Sequence, residues 1–148
     1  MTLTGMEILK PVVALAAWTM VMWVWMYATR IPAMQKAGVD LSKRAGGTGK
    51  DLDALLPPEV QWKSHNYNHL HEAPTVFYAI ALVLAIIGQG DGLNATIAWA
   101  YVALRIVHSL VQVTVNKVTV RFLIFALSSL SLIALVVHAG IAVFHANS

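Results

Sequence analysis

Two short stretches of this chain carry side chains for which apolar sequence has no ordinary use. The first reads His65-Asn66-Tyr67-Asn68-His69-Leu70-His71-Glu72-Ala73-Pro74, and the second places Arg105, His108 and Gln112 at i, i+3 and i+7. At 100° per residue His65, His69 and Glu72 share one helical face with Asn68 beside them, and the second set shares another face. Ionisable groups cost several kcal/mol in hydrocarbon, so in membrane helices they turn to a bundle interior or an interface and tend to mark function. Glu72 is the expected partner of Arg105, either as a buried lock between helices or as part of a charged site. His-x-x-x-His is also a metal-ligand spacing, so His65, His69, Glu72 and His108 form an alternative metal set. Pro74 deprives the Leu70 carbonyl of its helical donor, which predicts a kink beside Glu72. Arg121 reads as a snorkelling charge at the start of the last apolar stretch, and His138 and His145 read as interfacial or packing residues.

The elements that must position these groups follow from hydropathy. The 148 residues are 58% hydrophobic and 11% charged, against roughly 45–50% and about 25% for soluble domains, and the mean hydropathy is +0.67. That composition predicts an all-α membrane protein, a single domain over 1–148 built as a four-transmembrane-helix bundle. The expected spans are 8–27, 66–87, 93–115 and 120–144. A polar loop over 30–63 holds six of the ten basic residues: Arg30, Lys36, Lys43, Arg44, Lys50 and Lys63. The second and third spans meet at Gly88-Gln89-Gly90-Asp91-Gly92, which predicts an antiparallel hairpin.

Charge sets the expected orientation. Basic residues fall in the 30–63 loop and at Lys117 and Arg121, and the other turn has only Asp91, so the loop is expected in the cytoplasm and both termini on the far side. Lys10 opposes this as a single charge. The pI of about 9.4 comes from basic residues that are not interleaved with stacking aromatics, which argues against nucleic acid as a partner. With no cysteine in the chain, any thiol chemistry uses a thiol from outside, and zinc-thiolate sites are excluded. The first apolar stretch, ending Tyr27-Ala28-Thr29-Arg30, lacks a small-residue cleavage pattern and reads as a retained span.

The order of four spans, the polar loop after the first, the Asn/His-rich start of the second followed by Glu72 and Pro74, and the Arg105-x-x-His108 stripe resemble the MAPEG family. These are the membrane-associated proteins of eicosanoid and glutathione metabolism, and the stretches 66–78 and 101–127 look most like bacterial members. The resemblance implies a homotrimer of four-helix bundles that binds glutathione between subunits near the cytoplasmic side. Carried over residue by residue, it implies Glu72, Arg105 and His108 as glutathione-binding residues and Arg121 as the thiolate-stabilising, catalytic one. Asn68, His69 and Gln112 complete the implied binding set, with departures. The family's enzymes place Arg and Asn seven and three residues before the glutamate, where this chain has His65 and His69, and Gln112 replaces a tyrosine.

Glutathione is a net anion bearing two carboxylates, an ammonium and a thiol. Guanidinium groups, an amide and a carboxylate are the types such a ligand needs, and a fixed cation favours its thiolate. The expected function is a membrane-bound glutathione transferase or peroxidase acting on lipophilic electrophiles or lipid hydroperoxides, with no metal. The alternative is a non-catalytic trimeric scaffold that retains the fold.

Overall fold

The computed structural model describes residues 4–39 and 55–146. Among them the regular elements are α-helices: α1 (Leu9–Lys36), α2 (Pro58–Glu72), α3 (Pro74–Ile86), α4 (Leu93–Thr114) and α5 (Val118–His145). α2 and α3 are halves of one span, since Ala73 between them keeps helical angles of φ −64° and ψ −44°. Pro74 makes the division because it has no N–H to offer the Leu70 carbonyl. Thr75 Oγ1 donates instead to the Glu72 carbonyl at 2.7 Å. With the halves joined, four helices are long and apolar enough to cross a membrane: Leu9–Lys36, Pro58–Ile86, Leu93–Thr114 and Val118–His145.

The last two spans fall close to the expected bounds, but the first two run longer at the basic end. α1 continues through Arg30 to Lys36, and α2 begins at Pro58, so the 30–63 loop is shorter than the sequence suggests. Arg30 is buried rather than solvated, and its Nη1 donates to Ser64 Oγ at 2.8 Å, fastening the two extensions together. The Lys63 ammonium lies 5.9 Å from the Trp25 ring centroid, within cation–π range. Pro58 sits at the first helical position of α2, where its missing N–H costs nothing. Lys43, Arg44 and Lys50, also assigned to that loop, lie outside the described residues.

The opposite end is closed by backbone. Ile8 N–H donates to the Gly90 carbonyl at 2.9 Å, and the Asp91 carboxylate accepts from the N–H groups of Gly5 at 2.6 Å and Glu7 at 3.1 Å. Any side chain at Gly90 would run into the Gly5 carbonyl and Ile8, so the close approach demands glycine there. Farther round this end, His138 Nδ1 meets Asn94 Oδ1 at 2.7 Å. Between the two ends the core is built from Leu15 and Met22, Leu70, Phe77 and Leu84, Tyr101 and Val102, and Leu135. Phe77 and Tyr101 stack with ring centroids 4.5 Å apart. α5 buries only Ser128, Leu135 and Ala139, while Phe122, Leu123, Leu130 and Phe144 stand more than half exposed. Such a surface requires lipid or another chain against it.

Candidate functional site

α4 brings its polar stripe inward. Arg105 is 0% exposed, His108 2% and Gln112 5%, as the i, i+3, i+7 spacing requires of residues on the bundle side. Arg105 Nη2 and His69 Nδ1 are 2.7 Å apart. Guanidinium can only donate, so His69 accepts through Nδ1 and carries its proton on Nε2. The His69 ring stacks on His108 with centroids 5.1 Å apart and planes 23° from parallel. Phe125 of α5 tilts against both imidazoles, at 5.8 Å and 6.4 Å.

These rings form the floor of a cleft of about 230 Å³ lined by His69, His108, Val118, Arg121, Phe122 and Phe125. Arg121 stands at its mouth, with Nη1 donating to Asn116 Oδ1 at 2.7 Å. Asn116 takes a left-handed φ of 49°, a conformation that asparagine tolerates better than most residues. Its N–H closes the end of α4 on the Val111 carbonyl at 2.7 Å. One turn residue thereby ends α4 and aims a cation from the start of α5.

The polar interior is incompletely paired. Arg105 Nε and Nη1, His108 Nδ1, Ser109 Oγ, Gln112 Oε1, both amide atoms of Asn66 and Arg121 Nε are buried without a hydrogen-bond partner. No carboxylate among the described residues pairs with Arg105. A desolvated cation holding one neutral acceptor is an attractive position for an anion.

The structure thus lines one cleft with His69, His108 and Arg121, holds Arg105 fully buried against His69, and buries Gln112 one helical turn from His108. It leaves Glu72 and Asn68 outside the cleft lining, and Arg105 bonds His69 in place of the expected Glu72–Arg105 pair. Glu72 and Asn68 are exposed on the outside of α2. The buried face of the second span runs Asn66, Leu70, Pro74, Phe77, Ala81 and Leu84. Glu72, two residues from Leu70, therefore lies about 200° around the helix from that face. His69 stands at the edge of the buried face and takes the place expected for Glu72. Nor do His65, His69, Glu72 and His108 gather: the described residues contain no group of three or more His, Cys, Asp or Glu able to hold a metal ion.

Sequence reasoning passed over Asn66 and Asn116. Asn66 is 0% exposed, and its signal was the regular apolar spacing that follows it. Asn116 gave no signal beyond its place before a lysine in a short connection.

The model of the MAPEG family matches residues 8–141. The chain belongs to the MAPEG family. Comparisons with curated proteins and with solved structures give no match. Family membership together with four apolar helices makes this MAPEG chain an integral multi-pass membrane protein with a four-helix bundle fold. MAPEG family members are membrane proteins that generally use glutathione. The cleft beside Arg121 is the part of this MAPEG chain where a guanidinium, two imidazoles and an apolar wall meet, with the Arg105 guanidinium buried against His69.

Proposed function

We propose that the chain binds glutathione at this cleft and presents its thiolate to a lipophilic electrophile or lipid hydroperoxide arriving from the bilayer. The observation that carries the reading is the cleft lining, in which Arg121 and the His69 and His108 imidazoles face Phe122 and Phe125, with the Arg105 guanidinium buried behind His69 and no carboxylate paired with it. The unneutralised charge of Arg105, buried behind the His69 ring, draws the anionic tripeptide toward the cleft. Arg121, at the mouth, favours the thiolate over the thiol by proximity of charge. In conjugation the thiolate sulfur attacks an electrophilic carbon, the C–S bond forms and the leaving group departs. In peroxide reduction two thiols give one disulfide, while the hydroperoxide gives an alcohol and water.

The cleft volume of about 230 Å³ lies below the roughly 300–1,000 Å³ of sites that enclose a small ligand. A neighbouring chain completing the site accounts for that shortfall, and the outward Asn68 and Glu72 supply an amide and a carboxylate for such an interface. On this reading the assembly is a homotrimer, with the basic end in the cytoplasm and both termini opposite. Isothermal calorimetry of the detergent-purified protein tests it: glutathione binds at or below millimolar concentration, and Arg121→Gln, at the cleft lining, weakens the binding. No heat from the native protein at that concentration would remove the reading.

One observation favours a second reading, a non-catalytic scaffold. The His69–Arg105 bond of 2.7 Å ties α2 to α4 through protein groups alone. A scaffold would remain a stable trimer and turn over no chlorodinitrobenzene with glutathione.

A further inference from the structure

We infer that the chain carries a second site, for an anionic phospholipid, where the end of α1 meets the start of α2. A cleft of about 480 Å³ opens there, lined by Ala28, Thr29, Pro32, Ala33, Lys36 and Ala37 of α1 with Leu55, Pro57 and Val60 opposite. The α1 positions recur at i, i+1, i+4, i+5, i+8 and i+9, one continuous helical face. Three of them are alanines, too short to reach the facing wall, and so the two walls remain apart. The volume falls within the range of small-ligand sites.

Its chemistry is that of a lipid headgroup region. α1 has 28 residues and is about 42 Å long at 1.5 Å per residue, against a hydrocarbon core of about 30 Å. Trp23, Trp25 and Tyr27 mark the interfacial belt on this helix, and the cleft begins just beyond them at Ala28. Pro32 lies inside α1 and cannot donate to the Ala28 carbonyl, which leaves a backbone acceptor on the cleft wall. Thr29 Oγ1 already donates to the carbonyls of Trp25 and Met26, each at 3.1 Å, so it offers a ligand only its oxygen. Lys36, exposed at the outer end, has no carboxylate partner among the described residues. A phosphate seated on Lys36 at the outer end, with apolar chain running inward against Ala33 and Ala28, matches an anionic glycerophospholipid with its polar end outermost. A zwitterionic lipid would bring its own cation to Lys36. The inference needs the bilayer and is independent of the thiol reading.

Native mass spectrometry of the detergent-purified full chain, titrated with dioctanoyl phosphatidylglycerol or dioctanoyl phosphatidylcholine, tests it. The glycerol lipid is expected to be retained about fivefold more, the factor for one lysine near a membrane surface. Lys36→Gln removes that preference and Lys36→Arg keeps it. Ala33→Leu, filling the cleft, removes retention of both lipids while helical circular dichroism stays unchanged. Ala37→Leu, at the exposed helix end, gives the same result if Ala33→Leu fails to fold. Equal retention of the two lipids, or undiminished retention in the leucine variant that folds, overturns the site. Competition by soluble glycerol phosphate as strong as by the whole lipid also overturns it, in favour of a free phosphate ester.

Discussion

Arg105 reaches across from α4 to the second span and finds His69, not Glu72, at 2.7 Å. Loss of a hydrogen bond to a buried charged group costs about 1.5–3 kcal/mol. His69→Ala should therefore lower the thermal stability of the detergent-solubilised protein by about that amount, and His69→Gln, which still offers an acceptor, should recover part of it. Glu72→Ala should cost less than His69→Ala, because its carboxylate is exposed on the chain and does not hold Arg105. Circular dichroism melts of the three variants check the order, and an equal loss in Glu72→Ala would mean that the carboxylate supports Arg105 after all.

The exchange of partners shows what the sequence carried and what it did not. Four apolar runs gave four spans, Pro74 marks the division of the second into α2 and α3, and the i, i+3, i+7 spacing put Arg105, His108 and Gln112 on one buried face. All of these depend on periodicity along a single segment. Which residue of α2 faces Arg105 depends on the rotation of one helix against another, set by Leu70 and Phe77 packing inward, and no pattern within α2 alone fixes it. The same limit explains Arg30, which reads as a loop cation by composition and becomes buried because Ser64 stands opposite. It also explains Asn116, whose importance arises from a left-handed turn that aims a residue on the following helix.

At the other end, Asp91 fixes the residues ahead of α1 by accepting the N–H groups of Gly5 and Glu7. The contacts are partly exposed, so Asp91→Ala should cost about 1 kcal/mol. Amide hydrogen exchange at Gly5 and Glu7 should accelerate with little change in the core, and Asp91→Asn should fall between the two. Unaltered exchange at both amides would show that the carboxylate does not hold this segment.

Orientation follows from where the basic residues emerge. The end of α1 and the start of α2 share one end of the bundle with Asn116 and Lys117, and the Gly88–Gly92 turn lies at the other end with Ile8. Reporter fusions placed in the α1–α2 connection should register the cytoplasm and fusions after Ser148 the opposite side. A cytoplasmic reading after Ser148 would be incompatible with four crossings in this orientation.

Arg121 and Asn116 separate charge from aim. If the guanidinium at the cleft mouth stabilises a glutathione thiolate, Arg121→Ala should leave the assembly intact yet abolish the thiolate absorbance of bound glutathione in the ultraviolet, together with conjugation. Arg121→Lys restores the charge without the planar fork of donors and should be intermediate. Asn116 contributes two things, an acceptor for Arg121 Nη1 at 2.7 Å and a backbone φ of 49°. Asn116→Gly keeps the turn and removes only the acceptor, so it should fold normally and lose part of the thiolate signal. Asn116→Ala removes the acceptor and adds a left-handed penalty of about 1–2 kcal/mol, so it should lose the same signal and melt lower as well. A chain in which Asn116→Gly and Arg121→Ala both titrate bound thiol like the native protein has no use for this cation in chemistry. The lock between His69 and Arg105 would then be what the polar interior is for, and the scaffold reading would stand.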